Sequence, residues 1–147
     1  MREKIFLLLV LLTFPVVALG QTDDDREYHD VNVPDRIMEQ VVKRILIGEF
    51  KARKKSKAIY LLNEGIKRSW LPSIKNINFQ LVERNYPDDI YFFQKPELSG
   101  KTYRIGFGFG APFCDASGDY WVFRLSRRRV KLRRSVGFGM ACSNSTS

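Results

Sequence analysis

Ile105-Gly106-Phe107-Gly108-Phe109-Gly110 alternates strictly between a bulky residue and glycine, and Val136-Gly137-Phe138-Gly139-Met140 repeats the arrangement near the end of the chain. Side chains in a strand alternate between faces, so this spacing predicts two strands with glycines on one face and bulk on the other. Glycine packs nothing and costs chain entropy in a strand. Five of them, Gly106, Gly108, Gly110, Gly137 and Gly139, are therefore expected to share a face that something approaches closely. One reading seats a helix or a large aromatic such as Trp121 there. The other makes the face a smooth floor for a ligand. Neither run opens a helix, so this is not a nucleotide fingerprint.

Working outward, Tyr103–Phe109, Tyr120–Leu125 and Val130–Met140 read as an antiparallel meander. Its first and third strands end near Cys114 and Cys142, so both cysteines leave the sheet at one end and can join in a disulfide. Asp115-Ala116-Ser117-Gly118-Asp119 reads as a hairpin turn of the Asx type. Asp115, Ser117 and Asp119 also present oxygens at two-residue steps, as calcium loops begin, but no glutamate follows. Upstream, Ala58–Leu62, Ile77–Val82 and Ile90–Phe93 read as strands. Asn85–Asp89 and Pro96–Gly100 read as turns.

Ahead of the strands, Ile37, Met38, Val41, Val42, Ile45 and Leu46 recur at three- and four-residue steps, the stripe of an amphipathic helix. Pro34 suits its start and Gly48 weakens its end. The order predicts an α+β fold: an N-terminal amphipathic helix packed on a curved antiparallel sheet of five to six strands. The order is similar to that of small exported folds of the cystatin type, with a half-barrel as the close variant. This architectural likeness implies no residue roles.

The first twenty residues stand apart. Arg2 and Lys4 precede an apolar run from Ile5 to Val17, and Ala18-Leu19-Gly20 offers a small-x-small cleavage site, which together are the signal-peptide pattern. The run is shorter than the roughly 20 residues a spanning helix needs. The expected organisation is a signal peptide at 1–20, an acidic flexible arm at 21–33, one α+β domain at 34–142 and a polar tail at 143–147. The mature chain would have no transmembrane segment and would be secreted or periplasmic. Export favours an oxidised Cys114–Cys142 pair, whose loop of about 28 residues would add roughly 3–4 kcal/mol in the chain-entropy model. Asn144-Ser145-Thr146 fits the N-glycosylation pattern, used only in a eukaryotic secretory pathway.

The full chain of 147 residues carries 25 Lys+Arg against 16 Asp+Glu, a net charge of +9. Apolar residues make up 44% and charged residues 28%, a globular composition. With 2 Cys and 1 His, a zinc site built only from those residues lacks ligands, and no metal or cofactor is implied. A serine-hydrolase triad would have to use His29, in the arm.

The charge is concentrated. Arg124, Arg127, Arg128, Arg129, Lys131, Arg133 and Arg134 form a dense ridge in which Val130 and Leu132 alternate with cations. A strand there buries the apolar pair and displays the charges in a line. Lys51, Arg53, Lys54, Lys55 and Lys57 form a second basic segment. Such density attracts polyanions, and arginine's fixed fork suits phosphate, sulfate and carboxylate. In an exported protein the expected partners are anionic lipid, glycan or acidic protein. Nucleic acid is disfavoured because aromatics do not interleave with the basic residues. The sequence therefore reads as a non-enzymatic binding module for an anionic surface or partner. A structural envelope or matrix component is one alternative, and a small hydrolase with a carboxylate-based site is another.

Overall fold

The computed structural model describes residues 26–111, 115–126 and 129–141. The signal-peptide, cysteine, sequon, Arg127 and Arg128 assignments lie outside these residues. The fold is mixed α+β, one helix against an open sheet of eight strands. In chain order the elements are β1 (His29–Asp30), α1 (Asp35–Phe50), β2 (Lys57–Leu62), a 3-10 turn (Arg68–Trp70), β3 (Ile77–Val82), β4 (Ile90–Phe93), β5 (Glu97–Ser99), β6 (Thr102–Gly110), β7 (Ala116–Leu125) and β8 (Val130–Met140).

Helix α1 forms where the stripe predicts it. The Pro34 carbonyl accepts the amides of Ile37 and Met38 at 2.9 and 3.1 Å. Met38, Val41, Val42, Ile45, Leu46 and Phe50 are buried. Removing each such side chain from water is worth about 1.5–3 kcal/mol as an upper estimate. They pack on the inner sheet face with Ile59, Leu61, Phe93, Ile105, Phe107 and Phe123. Phe50 meets Phe79 and Tyr91 edge-on at 5.8 and 5.1 Å. At the far edge, Arg44 donates to the Val130 carbonyl and Glu49 accepts from Arg134, so α1 is fastened to β8.

The sheet is not wholly antiparallel. Strand β2 runs parallel to both β3 and β4. A parallel pair requires a crossover, here residues 63–76, which carries Ile66, Trp70, Leu71 and Ile74 onto the inner core beside α1. The expected turn at Pro96–Gly100 also contains a strand, β5, paired with the start of β6. β1 pairs with β5, and Val31 donates to the Pro96 carbonyl at 3.0 Å, so the supposed arm is docked from Arg26 onward.

Strand β6 organises the rest. On one flank it pairs with β4 and then with β5, and on the other with β7, which pairs with β8. The expected turn at Asp115–Gly118 is a correction. Only Asp115 has turn geometry, with φ 51°, and strand β7 begins at Ala116. Ser117 and Asp119 are strand residues, paired with Gly139 and Gly137.

The shared glycine face does not form. Gly108 pairs with Gly118, and Gly118 with Phe138, so these three point to the outer face. Gly137 pairs with Asp119, which pairs with Phe107, so Gly137 and Gly139 point to the inner face. The sequence pattern cannot show this, because parity within a strand says nothing about parity between strands until register is known.

Candidate functional site

The outer face divides into two halves. Toward one end, Phe92, Gly108, Gly118 and Phe138 form a row across four strands. Three strand spacings of about 4.8 Å separate the backbones of the two phenylalanines. Their rings nevertheless approach to 6.5 Å, leaning inward over the two glycines. A Cβ at Gly108 would lie 2.8 Å from Phe92 Cζ and 3.1 Å from the Ser117 carbonyl oxygen. At Gly118 it would press on the Phe107 carbonyl oxygen and lie 2.5 Å from Gly108 Cα. Gly106 is covered by the Gln94 side chain, whose Cδ would be 2.7 Å from a Cβ. Gly106, Gly108 and Gly110 are therefore roofed by their own protein and offer no open floor. Gly139 meets nothing within 4 Å, and Gly137 meets only Gly118 O at 3.4 Å and Asp119 Oδ1 at 3.6 Å.

Toward the other end the outer face is cationic. Arg124 pairs with Lys131, and Val122 with Arg133. Val130 and Leu132 turn inward, as the alternation predicts. Lys131, Arg133 and Arg124 are exposed, and they line a cavity of about 430 Å³ with Thr102 and Val122. Thr102 is the only buried polar residue among the described residues, at 4% exposure. Its hydroxyl accepts Nη1 of Arg26 at 2.8 Å and Nε of Arg124 at 3.0 Å. A second concavity of about 390 Å³ adjoins, lined by Arg26, Glu27, Lys101, Thr102 and Arg124. Arg26, Lys101 and Thr102 were missed in the sequence. An isolated Arg in an acidic arm and a Lys-Thr pair after a turn glycine carry no signal until β1 and β5 fold them beside β7.

Not all of the ridge belongs here. Arg134 pairs with Trp121 on the inner face. Its guanidinium lies 5.1 Å from the Trp121 ring centroid, meets Glu49, and is 3.4 Å from Asp119 Oδ2. It fastens α1 to the sheet and faces away from Lys131 and Arg133. Arg129 closes the β7–β8 hairpin through mutual backbone bonds with Ser126 at 3.0 and 3.3 Å. Lys51, Arg53, Lys54, Lys55 and Lys57 are exposed. Lys57 opens β2, and β4, β6 and β7 intervene between it and β8.

The boundary between the halves is Arg104. Its guanidinium lies 3.9 Å from the Tyr28 ring centroid and 4.4 Å from that of Tyr120, and it is paired with Glu97, its cross-strand neighbour. Beyond it, at the carboxyl end of β2, a cleft of about 590 Å³ is lined by Leu62, Ile66, Gln94, Tyr120 and Met140 among others. At its rim Arg84 grips Glu64 through Nε at 2.7 Å and Nη2 at 2.5 Å. That hydrogen bonding holds the Glu64 carboxyl below its usual range and raises the Arg84 guanidinium. His29 is exposed on β1. Among the described residues no three His, Cys, Asp or Glu side chains gather where they could hold a metal ion. Nor, among them, is any helix long and apolar enough to cross a membrane.

In comparisons with protein-family models, curated proteins and solved structures, nothing matches this chain.

Proposed function

We propose that this chain is an exported, non-enzymatic binding module that holds an anionic surface or partner through the outer face of β7 and β8. One observation carries the reading: register sets Arg124 beside Lys131 with Arg133 next along the strand, while Val130 and Leu132 are turned into the core. The cations are thus gathered on one rigid face rather than scattered. Export is supported by the leader pattern at 1–20. In that compartment Cys114 and Cys142 form a disulfide. This is supported by Gly110 and Met140, the last strand residues before them, which both pair with Ala116 at one end of the sheet.

The test compares two triple charge reversals. One changes Arg124, Lys131 and Arg133 to Glu, and the other changes Lys51, Arg53 and Lys54 to Glu. Retention on immobilised heparin and on vesicles rich in phosphatidylglycerol is measured at rising salt. The first variant loses retention and the second keeps most of it. Salt weakens the wild type, because exposed charges are screened over about 8 Å at physiological ionic strength. Equal loss in both variants assigns retention to net charge alone. No loss in either refutes the module and favours a structural component without a specific ligand.

A further inference from the structure

We infer that the cationic face is a groove built around Thr102 that takes one linear sulfated polysaccharide chain. This inference rests on the proposed anion-binding face and narrows it. The two concavities, of about 430 and 390 Å³, share Thr102 and Arg124 as common walls. Together they run from Arg133 and Lys131 on β8, past Arg124 on β7, to Lys101 and Arg26 at the start of β6. Cations therefore line a trough that crosses the strands. A linear chain can lie in such a trough, whereas a flat bilayer reaches only its rims.

Thr102 makes the trough a positioned site. A hydroxyl oxygen has two lone pairs, and here both are engaged by guanidinium donors, Arg26 and Arg124. The oxygen is neutral, so it orients two cations without adding a negative charge of its own. A carboxylate in the same position would have neutralised one. Among the described residues Arg124 is held by Nε alone, which leaves the terminal pair of its fork for a bidentate contact with a tetrahedral oxyanion. Lys131 and Arg133, two residues apart on one strand face, are spaced about 6.8 Å along the chain axis. That ladder suits an anion-bearing polymer rather than a single small ion. Among the described residues lining the trough, Glu27 is the one carboxylate, at its far end beside Arg26 and Lys101.

The groove's chemistry favours a glycan over a nucleic acid. Phe123, the aromatic residue lining it, is only 1% exposed and buries its ring in the inner core. Among the described residues lining the groove there is no exposed ring on which bases would stack.

The experiment uses substitutions at Thr102, which leave the net charge unchanged. Affinity for size-defined, highly sulfated heparin oligosaccharides is measured in solution for wild type, Thr102→Val, Thr102→Ser and the remote control Lys55→Glu. Parallel arms use chemically desulfated oligosaccharides, a single-stranded oligonucleotide and phosphatidylglycerol vesicles. Thr102→Val is expected to bind the sulfated chain at least about tenfold more weakly. Thr102→Ser, which keeps the hydroxyl, and Lys55→Glu should stay within about twofold of wild type. Desulfation should abolish binding. If Thr102→Val binds like wild type, the positioned groove is wrong even though the cationic face stands. If the oligonucleotide or the vesicles bind as tightly as the sulfated oligosaccharide, the assignment to a glycan is wrong. If wild type binds no polyanion, the broader function falls with it. Should Thr102→Val fail to fold, Lys101→Gln with Arg124→Gln replaces it, paired with Lys54→Gln and Lys55→Gln. Equal weakening by the two pairs overturns the groove.

Discussion

Replacing Gly118 by alanine tests the account of how β6, β7 and β8 fit together. The added Cβ would press on the Phe107 carbonyl oxygen and sit 2.5 Å from Gly108 Cα. Both obstacles are backbone, so no rotamer change relieves them. Relief requires β6 and β7 to separate where Gly108 pairs with Gly118 and Phe107 with Asp119. Ordinary overpacking costs about 1–3 kcal/mol, and a clash with backbone on a central strand pair belongs at the upper end, about 3 kcal/mol. The matched control is Gly139→Ala. Its Cβ meets nothing within 4 Å, so the substitution should be neutral or stabilise by up to about 1 kcal/mol through the unfolded chain. Urea melts followed by far-ultraviolet circular dichroism measure both. With a slope near 1.5–2 kcal/mol per molar, the Gly118→Ala midpoint should fall by roughly 1.5–2 M. A shift below about 0.3 M, or an equal fall for Gly139→Ala, would refute the close approach and the register behind it.

Arg134→Ala should lower stability by about 1 kcal/mol in the same melts, since it removes a cation–π contact and two part-exposed ion pairs. Heparin retention by that variant should stay close to that of an exposed single-charge loss such as Lys55→Ala, and a larger drop would return Arg134 to the binding face. The Glu64 carboxyl is held below its usual range by Arg84, so its contribution is present above the unfolded-state value and is lost as pH falls through the folded one. Wild type should therefore lose its small advantage over Glu64→Gln on acidification below the ordinary carboxylate range, and a difference that persists there would argue against the pairing. Purified oxidised protein should show no alkylatable thiol at Cys114 or Cys142 by mass analysis, and two labelled thiols would exclude the disulfide.

Much of the fold was legible where one element's own periodicity decides the outcome. Ile37 to Leu46 forms the buried stripe it promises, and Val130 and Leu132 turn inward between cations. What the pattern could not supply was the relation between elements. Nothing in Ala58–Leu62 distinguishes a parallel neighbour from an antiparallel one, because that depends on whether 63–76 turns back or crosses over. Ala-Ser-Gly-Asp is turn chemistry in isolation and places Gly118 in a turn. The contacts that require glycine there come from Phe107 and Gly108 on another strand. Arg134 joined the ridge by adjacency alone. The alternation that turns Val130 and Leu132 inward continues unbroken to Arg134 and sets it opposite Trp121, against α1.

The same logic explains why the outer face carries two unlike halves. Along β6 the outward positions are Thr102, Arg104, Gly106, Gly108 and Gly110, a gradient from polar and charged to no side chain at all. At the glycine end, neighbouring strands close down and two phenylalanines fill the space, so the face is sealed by its own aromatics. At the Thr102 end, side chains hold the strands' outward surface open, and the concavity is lined with charge. Arg104, stacked between Tyr28 and Tyr120 and tied to Glu97, is spent on joining the docked arm to the sheet. It divides a self-packed half from a half in which Thr102 orients Arg26 and Arg124. On the outward face of one strand, then, the positions sealed by neighbouring strands and those that present a surface are separated by position along the strand. Substitutions at Gly108 and Gly118 should act on stability, whereas substitutions at Thr102, Arg124 and Lys131 should act on binding. A Gly118 variant that still folds should accordingly keep its affinity for polyanions. Parallel loss of both properties would mean that the two halves form one cooperative surface.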